Sequence, residues 1–178
     1  MIFGIYGPYE LPKQKHNGLI DKKQAKSTLR NIRYNSSPEL SGCGCYLFVV
    51  KAGTGIKPWY VGKAVKQPFE KECLKAHQLN IYNNVIAKRK GNPLLLLIAL
   101  KTPKGKFAKP GSAHQKKIDF LETILIGAAL KRNQSLMNVQ KTSFLKKMVV
   151  PGFINSPQGQ PTHAEKSFKD ILFSRRRS

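Results

Sequence analysis

Apolar and polar residues are distributed unevenly along the chain, and the uneven stretches predict most of its elements. Cys45-Tyr46-Leu47-Phe48-Val49-Val50 is an unbroken apolar run, short and partly β-branched, which predicts a buried strand. Ala52-Gly53-Thr54-Gly55 is a turn and Trp59-Tyr60-Val61 a second short strand, so the two predict a hairpin. Leu94 to Leu100, just after Pro93, is nearly all apolar and predicts a central strand. Helical spacing marks three other stretches. Asp21 to Tyr34 sets Ile20, Ala25, Leu29 and Ile32 on one side and lysines and arginines elsewhere. Pro68 suits a first helical turn, after which Phe69, Cys73 and Ala76/His77 recur, and Asn80 to Lys90 continues or restarts the helix up to Gly91. Ser112-Ala113-His114-Gln115 has the form of a capping box and opens a long helix to about Arg132, with Ile118, Leu121, Leu125 and Ala128 as its core face.

Read in order, these elements predict an α+β fold. A small mixed or antiparallel three-stranded central sheet is flanked by helices in ββαβα order, with basic N- and C-terminal extensions. The division expected is a partly helical basic arm over 1–41, a domain over 42–140, and a basic, loop-rich extension over 141–178. Ser36-Ser37-Pro38 is the turn that ends the arm. The extension carries Pro151, Gly152, Pro157, Gly159 and Pro161, then a short amphipathic helix from Ala164 to Phe173 and the tail Arg175-Arg176-Arg177.

Charge changes this picture from a fold to a function class. Among 178 residues there are 32 Lys+Arg against 9 Asp+Glu, a net charge of +23. Self-repulsion of this size weakens a compact state, so its usual purpose is a polyanionic partner. Nucleic acid fits best, because lysine and arginine displace counterions condensed on phosphates. A membrane surface would need a long basic amphipathic helix or a lipid anchor, and the sequence offers neither. No apolar stretch approaches the ~20 residues of a membrane span. Cys43, Cys45 and Cys73 are odd in number and lack framework spacing, which points to reduced thiols. The expectation is a cytoplasmic, nucleoid-associated or nuclear protein, not a secreted one.

One ordered set of residues carries candidate chemistry. Gly44-Cys45-Tyr46 opens the first strand of the hairpin, and Tyr60-Val61-Gly62-Lys63 ends the second. Glu122 lies inside the later long helix and Asn138 follows it. Over about residues 42–140 this order resembles the GIY-YIG nuclease domain. Gly4-Ile5-Tyr6 matches that family's first motif to the letter, but the prolines that follow exclude a central strand there. It also lies more than 50 residues before Tyr60, too far for a hairpin.

The resemblance implies a metal-dependent endonuclease that hydrolyses phosphodiester bonds in DNA, DNA being favoured over RNA. It assigns Glu122 as the ligand of one divalent ion, Mg2+ (or Mn2+), a hard cation suited to carboxylate oxygen. It makes Tyr46 a candidate base and Tyr60 a positioner of water or phosphate, with Gly44, Gly62 and Asn138 as structural supports. A phenol of ordinary pKa near ~10 needs cations beside it to act as a base, and Lys63 directly follows Gly62. Tyrosines also pack well in strands for no functional reason.

The sequence departs from the family in one respect. The helix after the hairpin, where the family carries an arginine, reads Phe69-Glu70-Lys71-Glu72-Cys73-Leu74-Lys75-Ala76-His77. Lys63 and His77 are the expected substitutes, with Lys71 and Lys75 as further sources of charge; lysine lacks the fork by which arginine grips phosphate. The alternative is therefore a catalytically weak or inactive nucleic-acid-binding module of a larger nucleoprotein complex. A zinc site of Cys43, Cys45, Cys73 and His77 is less favoured, since Cys-x-Cys is unusual for structural zinc. Backbone contacts are expected from Lys71, Lys75, Lys88, Arg89, Lys90, Lys116, Lys117, Lys131 and Arg132, which give affinity without reading sequence.

Overall fold

Strands β1 (Ile2–Glu10), β2 (Gly44–Ala52), β3 (Gly55–Ala64) and β4 (Asn92–Lys101) alternate along the chain with helices α1 (Lys22–Asn35), α2 (Phe69–Glu72), α3 (Ala76–Ile86), α4 (Gln115–Arg132), α5 (Val139–Lys147) and α6 (His163–Phe173). The computed structural model describes residues 1–35, 38–151, 153, 154 and 159–173. Ser36 and Ser37 of the expected turn, Gly152, Pro157 and the Arg175–Arg177 tail lie outside the described residues. The chain divides into two units, Met1–Asn138 and Val139–Ser178. None of the described helices is long and apolar enough to cross a membrane.

The first unit is built on one antiparallel sheet of strand order β1-β4-β2-β3. The sheet thus has four strands where the sequence pattern predicts three. The addition is β1, which contains Gly4-Ile5-Tyr6. It is an edge strand, and its register slips between Tyr6 and Tyr9, so Gly7 and Pro8 fall in an irregularity. An edge and a bulge are the positions at which a sheet tolerates proline. Residues 1–41 therefore supply both a strand and a helix to the same unit as the hairpin.

Two apolar layers cover the sheet. On one face Tyr46, Phe48, Leu95, Leu97, Phe69, Leu79 and Tyr82 form the larger core, joined by Ala25 and Leu29 of α1. On the other, Cys43, Cys45, Ile98, Leu100 and Ile118 form the smaller core under α4. The period of two along β2 explains the split, with Tyr46 and Phe48 on one side and Cys45 on the other. Helix α1 begins as expected: Asp21 Oδ1 accepts from the Gln24 N–H at 2.7 Å, an N-terminal cap.

Helix α4 differs from its expected form at two points. Ser112–His114 is a 3-10 turn, and no side chain caps the start of α4. Gln115 does not reach back; its Nε2 donates along the helix to Asp119 Oδ2 at 2.7 Å. The buried face is Ile118, Glu122, Ile126, Ala129 and Leu130, while Leu121 and Leu125 are half-buried and Ala128 is exposed. The helix is turned about one residue from the apolar stripe, which places a carboxylate on the buried side.

The segment after α4 closes the free edge of β3. Met137 N–H donates to Trp59 O at 2.9 Å. Asn138 mimics a neighbouring strand: its Oδ1 accepts from Val61 N–H at 2.8 Å and its Nδ2 donates to Val61 O at 2.6 Å. Asn133 Nδ2 donates to Pro58 O at 2.7 Å. Side-chain amides here substitute for the ladder that an edge strand lacks.

In the second unit, α5 occupies part of a stretch expected to be loop. Helix α6 lies close to its expected place, and Thr162 and Glu165 cap it reciprocally: Thr162 N–H donates to Glu165 Oε2 at 2.7 Å and Glu165 N–H to Thr162 Oγ1 at 3.3 Å.

Gly44 begins β2 between β3 and β4, at φ +149°. A Cβ there would run into the Ile98 carbonyl. Gly44→Ala is expected to lower folding stability by at least about 2 kcal/mol, read as a lower midpoint in urea denaturation. An unchanged midpoint would contradict this reason for a glycine at 44.

Candidate functional site

The hairpin brings the two tyrosines together by register. Tyr46 pairs with Gly62 across β2 and β3, and Phe48 with Tyr60. Gly62 leaves room for the Tyr46 ring, because a Cβ at position 62 would overlap that ring. The Tyr46 and Tyr60 ring centroids are 6.3 Å apart. Tyr82 of α3 completes the group: it stacks on Phe48 at 4.1 Å and meets Tyr60 edge-on at 6.2 Å.

Helix α4 lies against β3 and supplies the acidic side of the site. Lys63 Nζ is 2.6 Å from Asp119 Oδ1 and 3.3 Å from Glu122 Oε2. Burial pulls the Lys63 pKa down, but these two carboxylates outweigh it and hold the ammonium above its ordinary value. Lys63 is thus a fixed cation at neutral pH. Glu122 is buried, its side chain only 10% exposed, and its charge also acts on Tyr60. Because β3 is an edge strand, one carboxylate on α4 influences both residues.

The phenols are held neutral. Burial pushes Tyr46 and Tyr82 well above the ordinary value, and both are enclosed. Tyr60 is raised by burial first and then by Glu122, Cys73 and Glu72, while the Gln78 side-chain amide beside it works the other way. These shifts run opposite to what a phenolate base requires. Among the described residues, Tyr46 Oη, Tyr82 Oη and Gln78 Oε1 are buried without a well-formed hydrogen bond, although the Tyr46 hydroxyl lies near enough to Tyr82 to ease the shift of its phenol. Buried polar atoms of this kind usually meet a water or a ligand atom.

The structure thus sets Tyr46 and Tyr60 together on one face of the hairpin and Lys63 with Glu122 on the α4 side, the Glu122 charge acting on Tyr60 as well, and Asn138 is fastened to the backbone of Val61. Lys75 pairs with Glu72 at 2.7 Å. His77 is exposed in the first turn of α3. Asp119, Tyr82, Glu72 and Gln78 join the site without having been singled out in the sequence. Asp119 had a usable signal, its i, i+3 spacing from Glu122, which puts both carboxylates on one helix side.

The four zinc candidates do not converge. Cys43 and Cys45 sit in the core under α4, Cys73 in the opposite core, and His77 on the surface. All three cysteines are buried, and none is in a disulfide. Among the described residues no group of three or more His, Cys, Asp or Glu side chains is placed to hold a metal. A single ion held by Glu122 with water and phosphate oxygens needs no such group.

The basic candidates occupy separate places. Lys71 borders a groove with Lys26, Arg30, Arg33 and Glu70, where Arg33 Nη1 donates to Glu70 at 2.6 Å. Lys116 and Lys117 are exposed in the first turn of α4, Lys131 and Arg132 in its last, and Lys88 after α3. Arg89, Lys90 and Arg132 converge on a further groove beside Trp59.

Compared with models of protein families, with curated proteins and with solved structures, the chain matches none. The functional reading therefore rests on the residues themselves.

The raised phenols have a measurable consequence. Unfolded phenols ionise near ~10, whereas Tyr46, Tyr60 and Tyr82 retain their protons above that value. Their contribution to stability is complete below about pH 10 and is lost as pH rises through the folded-state values. In a 295 nm titration, Tyr46, Tyr60 and Tyr82 are expected to ionise above the ordinary value in the folded chain and to return to it after unfolding. A single ordinary midpoint for all tyrosines in the folded chain would contradict this.

Proposed function

We propose that the chain is an endonuclease of the GIY-YIG type, acting on phosphodiester bonds in DNA. The observation that supports this reading is that Glu122, distant in sequence, pairs with Lys63 and acts on Tyr60, whose ring lies 6.3 Å from that of Tyr46, in a strongly basic chain. Hydrolysis needs a held water, charge on the phosphoryl oxygens and a geometry that excludes alternatives. Glu122, with Asp119 three residues away on the same helix, fits a hard divalent cation such as Mg2+, and Lys63 offsets part of the pair's charge. When bound, that ion supplies positive charge to the phosphoryl oxygens.

The side chains have these roles in the proposal. Tyr60, half-buried beside Glu122, donates from its neutral phenol to the water or to a phosphoryl oxygen. The buried hydroxyls of Tyr46 and Tyr82 lie in the core beside it. Lys63 stands where the family's arginine charge would be needed, as a point cation without a fork. In the reaction the water oxygen bonds to phosphorus and the bond from phosphorus to one sugar oxygen breaks; one proton of the water ends on that leaving oxygen and the other is shed from the new phosphate to solvent.

A second reading has its own support. No arginine occurs between Phe69 and Ile86, and Lys75 of this segment is tied to Glu72. A binding module that does not cleave would look the same in these respects.

One assay separates the two. Duplex, branched and single-stranded DNA and RNA are incubated with and without Mg2+, using wild type and Glu122→Ala. The proposal expects Mg2+-dependent cleavage of DNA that falls at least about a hundredfold in the variant, with binding retained. Binding without cleavage of any substrate would establish the module instead, and full activity in Glu122→Ala would remove Glu122 from the site.

A further inference from the structure

We infer that the groove beside Trp59 is a second seat for nucleic-acid backbone phosphates, separate from the Tyr60–Glu122 site. This rests on the nucleic-acid reading above and specifies where the backbone is gripped. The groove has a volume of about 540 Å³ and is lined by Lys57, Trp59, Arg89, Lys90 and Arg132, among others, with no acidic residue in its lining. The four cations come from three places in the chain: β3, the turn after α3, and the end of α4.

Their pairing sets them apart. The described ion pairs lie elsewhere, at Arg33–Glu70, Lys75–Glu72 and Lys63 with Asp119 and Glu122. Among the described residues no carboxylate partners Lys57, Arg89, Lys90 or Arg132. Gathering four like charges around a concavity costs stability and focuses a positive field. The Trp59 ring offsets part of that cost: Lys57 Nζ is 5.4 Å and the Arg89 guanidinium 5.5 Å from its centroid. The ring thereby holds two cations beside the groove.

The occupant follows from size and exposure. A lone phosphate ion would fill little of a groove this large, whereas successive backbone phosphates suit cations spread along it. Trp59 is only 7% exposed, so it offers no platform for a stacked base. The groove therefore contacts the backbone without reading sequence. Lys57 and Lys63 are six residues apart along β3, roughly 20 Å at ~3.3 Å per residue. One phosphate cannot serve both ends.

Trp59 is the only tryptophan in the chain, so its fluorescence reports on this groove alone. Binding of a labelled DNA duplex is followed by anisotropy and by Trp59 emission over a range of salt. Wild type is compared with the triple variant Lys57→Gln, Arg89→Gln, Arg132→Gln. The control is Lys15→Gln, Lys22→Gln, Lys23→Gln, an equal loss of charge from exposed positions elsewhere. The expected result is a Trp59 change with the same midpoint as the anisotropy. The groove variant should bind at least about tenfold more weakly than the control, with a salt slope smaller by about 2 to 3. The variants replace exposed side chains, and matched thermal melts exclude unfolding. Equal weakening in groove variant and control, with Trp59 silent, overturns the groove and leaves the nucleic-acid reading standing. No binding of any nucleic acid by wild type overturns both. A Trp59 change produced by inorganic phosphate but not by duplex assigns the groove to a small anion and overturns the backbone seat.

Discussion

The packing of the Tyr46 ring over Gly62 is the contact on which the site depends. It joins the first strand of the hairpin to the second at the point where β3 approaches α4. Any side chain at 62 would displace the ring. A displaced Tyr46 would disturb Tyr60 and Tyr82, because the three rings share one core. The glycine that looks like a motif letter is thus first a packing requirement. The neutrality of the phenols follows from the same burial, and in the proposal it makes them donors toward a water or a phosphate.

Scarce acids are placed with equal economy. Of the nine, Glu39 accepts from Tyr9, Asp21 and Glu165 cap helices, Glu70 and Glu72 tie down a neighbouring cation each, and Asp119 and Glu122 share Lys63. Local structure engages these seven, while Glu10 and Asp170 are exposed, and the surface keeps its positive balance. In the proposal, this arrangement lets the surface attract a polyanion while one carboxylate pair stays in a semi-enclosed position.

What was legible in the sequence was what burial dictates directly. Cys45–Val50 and Leu94–Leu100 are apolar on both sides because layers cover both faces of those strands, so their runs are unbroken. Ala25 and Leu29 marked the inner side of α1 for the same reason. Strand β1 was illegible because it lies at the edge, is largely exposed, and carries Gly7-Pro8 in an irregularity that removes its alternation. The face of α4 was misjudged by about a residue because a buried carboxylate satisfied by Lys63 does not register as apolar. Tyr82 was overlooked since only the fold sets α3 against the hairpin. Lys57 carries no distinguishing signal in the sequence, because Arg89 and Arg132 join it in the groove from distant parts of the chain.

The central claim is that Glu122 and Tyr60 belong to one metal-assisted site. The most direct test is a titration of paramagnetic Mn2+ into the isotope-labelled protein bound to uncleaved DNA, followed by NMR line broadening. Broadening is predicted to centre on Tyr60, Lys63, Asp119 and Glu122, and to disappear in Glu122→Gln. Broadening centred elsewhere in the chain, or unchanged by that substitution, would contradict it.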